Sequence, residues 1–232
     1  MRRLHGMQSL SRPVPPSPPE SLSRLLREWG IEPVSPAPAA ARLGSWLGWA
    51  DSIEMAQVLT TAPGSAASEA ARIEAMHWAG GELEQVRVHL ASGFNHDELA
   101  SESEPVADDA SFTSLLAPYL QHLAHQQRVI ASRITTFRAR LRAKLESASD
   151  ELARLAQLDE YIERALASPE RRATAGLSAL LEMRARKHHA ADPRRWRPRL
   201  CADLQRLLRA ELDQRLQPVL GLVEALSTRS PS

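Results

Sequence analysis

From Phe112 to Ala167 apolar residues recur every three or four positions: Tyr119, Leu123, Ile130, Ile134, Phe137, Leu141 and Leu145, then Leu152, Leu155, Leu158, Ile162 and Leu166. This is the period of an amphipathic helix, and no glycine interrupts it. Pro118 lies near the start, and a first helical turn tolerates proline, so the pattern predicts a helix from Ala117-Pro118 to about Glu146. Ser147-Ala148-Ser149-Asp150-Glu151 then supplies side chains that compete for backbone hydrogen bonds and cap helices. The run therefore reads as a hairpin, with a turn within 145–151 and a second helix over 150–167. Ser168-Pro169-Glu170 repeats the cap signature and predicts a third helix through Leu177, Leu180, Leu181 and Met183. Pro193 and Pro198 mark residues 190–198 as a connection. The last helix is expected from about Arg199 through Leu200, Leu204, Leu208, Leu212 and Leu216, with Pro218 kinking or dividing it. Val219-Leu220-Gly221-Leu222-Val223 beyond it is nearly all apolar and must be buried, on the bundle or on a partner.

The first half is more broken. Pro13, Pro15, Pro16, Pro18 and Pro19 give residues 1–20 the character of a disordered proline-rich tail. Leu22, Leu25, Leu26 and Trp29 can share one face of a short helix that Gly30 closes. Ser35-Pro36 and Asp51-Ser52-Ile53-Glu54 open two more short helices, meeting at a corner that carries Trp46 and Trp49. A helix from Ser68 to Trp78 follows, and Gly80-Gly81 predicts a break before helix resumes over Leu83–Leu90. Residues 95–110 hold Asp97, Glu98, Glu102, Glu104, Asp108 and Asp109 and no Lys or Arg, the composition of a solvated acidic linker. The organisation is then a tail at 1–20, an N-terminal helical unit with a Trp corner at 21–94, the linker, and a helical bundle at 111–228. The fold class is all-α: an antiparallel helical bundle of long, coiled-coil-like helices with a central hairpin and a small helical N-terminal unit.

Composition supports this. Aromatic residues are only 4 % of the chain, so leucine and alanine must fill the core, which favours helix over strand. A net charge of +1 exerts no global pull on nucleic acid or an anionic membrane. Twenty-seven of the 29 basic residues are arginine. Because that excess is chain-wide and accompanied by abundant alanine, it reads as codon bias before phosphate recognition. The single Cys201 excludes an internal disulfide framework. No secretory leader is visible after Met1-Arg2-Arg3, and no apolar run approaches the roughly 20 residues of a membrane span. A soluble, cytoplasmic chain is expected.

The common catalytic motifs are absent, and the chain reads as a non-enzyme. His122 with His125, and His188-His189 with Cys201, lack the close ligand pairs of a zinc site, so neither metal nor other cofactor is expected. On the spine, Arg128, Arg133, Arg138, Arg140, Arg142 and Lys144 spread around the helix instead of lining one face. Their stems are expected to edge the helix interface with the charged heads in solvent, within reach of the acidic linker. The sharper cluster is Arg184, Arg186, Lys187, His188 and His189, followed by Arg194, Arg195, Trp196 and Arg197. Arginines around a tryptophan suit an acidic protein partner or, as the alternative, single-stranded nucleic acid held by phosphate contact and base stacking. The candidate partner-binding residues are Trp46 and Trp49 at the corner, Arg194, Arg195, Trp196 and Arg197, and the apolar Val219, Leu220 and Leu222.

Three stretches resemble a known family. Ala41-Arg42-Leu43-Gly44-Ser45-Trp46-Leu47-Gly48-Trp49-Ala50-Asp51-Ser52-Ile53 is similar to the N-terminal signature of an uncharacterised proteobacterial family, domain of unknown function 3348. Leu116-Ala117-Pro118-Tyr119 with His122-Leu123-Ala124-His125-Gln126 resembles its middle, and the run from Leu207 to Leu222 its C-terminal signature. The resemblance spans roughly residues 20–227. The proline-rich start and Gly80-Gly81 depart from the family pattern. The family brings no established activity or site. Its genes neighbour those for an ion-channel-type inner-membrane protein and an OmpA-like peptidoglycan-binding protein. The resemblance thus implies a bacterial, cytoplasmic accessory of an envelope complex, a non-enzymatic interaction or scaffold protein that binds a protein partner or itself.

Overall fold

The structure is a computed structural model, and it describes residues 21–31, 69–95, 99 and 112–228. The proline-rich tail, the Trp46–Trp49 corner with its two helices, and most of the acidic linker lie outside the described residues. Those described form five helices and no strand: α1 (Leu22–Glu28), α2 (Glu69–Ser92), α3 (Phe112–Ala148), α4 (Asp150–Ala191) and α5 (Trp196–Ser227).

The α3–α4 hairpin forms as the cap signature predicts. Ser149 alone is extended (φ −166°, ψ 159°), and its side chain accepts a hydrogen bond from the Leu152 N–H at 3.2 Å. With Asp150 and Glu151 in its first turn, α4 begins with a hydroxyl cap and two acids complementing its dipole. α3 packs along α4, α4 along α5, and α2 lies against both α3 and α5. One core of buried leucine, alanine and a few aromatics runs through all five helices.

Three breaks expected from the sequence do not occur. α4 passes through Ser168-Pro169-Glu170 as a single helix of 42 residues, about 63 Å long at 1.5 Å per residue. Between Tyr161 and Leu177 α4 has no buried residue, so the carbonyl that Pro169 leaves unbonded faces solvent, while packing on either side holds the helix together. α5 likewise runs unbroken past Pro218 and starts at Trp196, three residues earlier than predicted. α3 begins at Phe112, so Pro118 sits inside it on an exposed face. α2 continues through Gly80-Gly81, both exposed, because its flanks are anchored by Ala75, Ala79 and Leu90 in the core.

The larger correction concerns charge. Arg138 and Arg142 do not hold their heads in solvent. Arg138 is buried and donates from Nε and Nη2 to the two carboxylate oxygens of buried Asp159 on α4, at 2.8 and 2.6 Å. Arg142 donates to Asp159 at 3.0 Å and to Glu163 at 2.7 Å. Burial alone would lower the Arg142 pKa, but hydrogen bonds and charge from Glu163 and Asp159 outweigh it, and the net shift is upward. Arg140 and Lys144 pair with Glu82 and Glu74 on α2, at 2.7 and 3.2 Å. These four spine cations find acids on neighbouring helices, and the acids of the linker lie outside the described residues. Two further buried acids act alike. Asp203 on α5 accepts from Arg184 of α4 at 2.7 Å, and Glu211 on α5 accepts from Gln127 of α3 and from Arg215, both at 2.9 Å.

Removing one member of a buried ion pair strands the other. Asp159→Ala should cost roughly 3 kcal/mol or more in urea unfolding. Arg138→Met with Asp159→Leu should recover most of that loss, and a double variant as unstable as the single would contradict it. A Cβ added at Gly80 or Gly81 meets nothing within 4 Å. Gly80→Ala should therefore raise stability by about 0.5–1 kcal/mol, read as a higher thermal midpoint.

Candidate interaction surface

The turn from α4 to α5 is built by Asp192. Its N–H bonds back to the His188 carbonyl at 2.9 Å, and its Oδ1 accepts from the Arg194 and Arg195 N–H groups at 3.1 and 3.2 Å. Asp192 thus caps the end of α4 and folds the turn that opens α5. Fixed in this turn, Arg194 and Arg195 are exposed, as are Arg186 and Lys187 on the last turns of α4 and Arg199 on the first of α5. Arg186 pairs with Glu182 at 2.6 Å, and Arg199 reaches Asp192 at only 4.0 Å. Among the described residues Lys187, Arg194 and Arg195 have no acidic partner. One corner of the bundle is therefore basic, exposed and only partly neutralised.

Beneath the corner is an aromatic cluster. Trp196 is 3 % exposed. Its ring centroid lies 5.5 Å from Phe112, 5.8 Å from Tyr119 and 5.8 Å from His189, tying the start of α3 to the α4–α5 turn. The Arg186 guanidinium lies 5.3 Å from the Phe112 ring centroid and that of Arg197 5.8 Å from the Trp196 ring centroid. Tyr119 donates its hydroxyl to the Leu99 carbonyl at 2.8 Å. One level down, His188 Nε2 lies 2.8 Å from the same Asp203 oxygen that accepts from Arg184.

The candidate residues thus separate into unlike roles. Arg197 lies over the Trp196 ring while Arg194 and Arg195 are exposed in the turn, and the indole is enclosed and offers no open face to a base. Val219 and Leu222 are buried by the bundle itself, and Leu220 is half-buried. Arg72 of α2 also donates to the Leu226 carbonyl, tying down this end of α5. Val219 lies about 35 Å along α5 from Trp196 at 1.5 Å per residue, so the two groups form no joint site. Trp46 and Trp49 fall outside the described residues. Among the described residues the exposed large apolar side chains are Ile73, Val88 and Met183, too scattered to make a patch. Sequence reading missed Asp159, Asp203 and Glu211. Their signal was position: Asp159 follows Ala156 by three, Asp203 follows Leu200 by three and Glu211 follows Leu208 by three, so each falls on a buried stripe.

Among the described residues no group of three or more His, Cys, Asp or Glu is placed to hold a metal ion. Burial pushes the Cys201 thiol up to about 11. No described helix is long and apolar enough to cross a membrane. The DUF3348 family profile, described as protein of unknown function, matches residues 7–228. The chain belongs to this family. No curated protein and no solved structure matches the DUF3348 chain.

The cluster makes the fold sensitive to alkali. Tyr119 is pushed from 10.0 up to about 12 by burial and by Cys201, with Arg197 opposing, and Cys201 rises from 9.0. Both folded values lie above the unfolded ones. Their stabilisation is therefore whole below pH 9.0 and is lost as pH rises through about 11 and 12. Thermal midpoints should fall steeply above pH 9.0 in the native chain and less steeply in Tyr119→Phe with Cys201→Ala.

Proposed function

We propose that this DUF3348 protein is a non-enzymatic interaction or scaffold protein that engages an acidic protein partner through the basic corner at the α4–α5 turn. The observation that carries the reading is the set Lys187, Arg194 and Arg195: exposed, in the last turns of α4 and the turn that follows it, and without an acidic partner among the described residues. A rigid base adds support, because Trp196 and Asp192 hold the turn in one conformation and less side-chain and loop order is lost on binding. Asp192 and Glu182 offset only part of the charge of Arg186, Lys187, Arg194, Arg195 and Arg199, and the remaining positive field favours charge-steered association. The family resemblance supports a partner in a bacterial envelope assembly, with this chain on the cytoplasmic side. Nucleic-acid binding keeps the phosphate-seeking arginines but lacks a stacking ring, since the Trp196 indole is enclosed.

The test is cross-linking followed by capture of envelope proteins. Lys187→Glu with Arg194→Glu and Arg195→Glu should lower capture of the same partner by roughly tenfold or more, with unchanged helicity, and raised salt should weaken the native complex. Capture indifferent to all three reversals removes the corner from the interface. A mobility shift of single-stranded DNA at low salt, lost in the same variant, replaces the acidic protein with a nucleic acid.

A further inference from the structure

The groove on α5 that receives α1 has the properties of a helix-docking site separate from the segment that fills it. α1 has seven residues, well short of the roughly 12–15 at which an isolated helix begins to persist, so docking must be what makes it helical. It is anchored by Leu25, fully buried, and Trp29, 7 % exposed, while Leu22 and Leu26 pack against the core more loosely. Its far end is a complete capping motif. Gly30 adopts φ 82°, its N–H bonds to the Arg27 carbonyl, and the Ile31 N–H bonds to the Leu26 carbonyl, both at 2.9 Å. The conformation of the bound helix is thus encoded in residues 21–31.

Recognition across the groove is equally defined. Arg206 of α5 donates to both oxygens of Glu28, at 3.1 and 2.6 Å, and holds that carboxyl below its usual range. The Arg184 guanidinium lies 5.0 Å from the Trp29 ring centroid while its Nε is committed to Asp203. Docking nevertheless leaves a defect. Trp29 Nε1 is buried and has no hydrogen-bond acceptor among the described residues, so within them α1 carries an uncompensated donor into the groove. Glu28 and Arg206 are 178 positions apart, and residues 32–68 separate α1 from α2, so the chain bound in the groove is fixed by tethering as much as by contact.

We propose that this groove also accepts α1 from a second copy of the chain, so that two copies exchange their first helices. In cis the tether supplies α1 at a local concentration on the order of millimolar, which a second copy must match. An α1 given from each copy to the other would form two identical contacts in a closed two-fold dimer. The basic corner takes no part in this exchange.

Charge reversal tests it, because the Glu28–Arg206 pair lies at the solvent-facing edge of the groove, with Glu28 exposed and Arg206 half-buried. In E28R the helix no longer matches its own groove, and in R206E the groove no longer matches its own helix. In a mixture, each α1 meets a groove of opposite charge only on the other chain. At about 1 mM of each chain, within the local concentration of the tether, light scattering with chromatography should show a species of twice 25.6 kDa containing both variants. Each variant alone should give less of it. A mixture that remains at single-chain mass overturns the exchange. A second arm uses a labelled peptide of residues 21–31. It should bind the L25D chain, whose own α1 has lost its anchor, at least tenfold more tightly than the native chain. Adding Arg206→Glu should weaken that binding, and the peptide bearing Glu28→Arg should restore it. No saturable binding to an L25D chain of native helicity, or binding blind to Arg206→Glu, overturns the groove.

Discussion

The bidentate pair of Arg138 and Asp159, buried between α3 and α4, is the constraint on which the rest of the bundle depends. A leucine- and alanine-lined helix face gains similar burial free energy at several offsets along its neighbour. A buried carboxylate does not, because it is tolerable only where a cation meets it. Asp159 with Arg138 and Arg142, and Asp203 with Arg184 and His188, place such a condition between α3 and α4 and between α4 and α5, while Glu211, neutralised within α5 by Arg215, adds a hydrogen bond from Gln127 of α3. The apolar core supplies the driving force for collapse, and these acids select one alignment among those it allows.

The surface follows from the same arrangement. Asp203 holds Arg184 and His188 inward, and Trp196 occupies the space between the start of α3 and the turn. With those groups committed, Lys187, Arg194 and Arg195 are left facing solvent at this end of the bundle. The docking of α1 uses the opposite economy: a short segment with two deep anchors, one ion pair and one stacked guanidinium, attached to a core that the four long helices share.

Proline and glycine were poor guides to where the long helices end. Pro118, Pro169 and Pro218 each remove one backbone hydrogen bond, yet each sits on an exposed or half-exposed face where water can satisfy the freed carbonyl. Gly80 and Gly81 cost propensity only, on a helix whose flanks are anchored in the core. Local signals prevailed where the chain had to reverse. Ser149 caps α4 and Gly30 closes α1, because no packing can supply hydrogen bonds to a helix end in a turn.

By itself the sequence determined the all-α class, the hairpin at Ser149, the closure of α1 at Gly30 and the leucine stripe of α5, since each follows from period or from local hydrogen-bonding chemistry. It also marked the basic residues around Trp196. Only the tertiary structure decided which arginines are buried partners and which remain free, that Trp196 belongs to the core, and that Val219 and Leu222 are covered within one chain. These depend on which faces meet. Helical phase places Asp159 on a stripe, but the approach of α3 decides whether Arg138 is there to receive it.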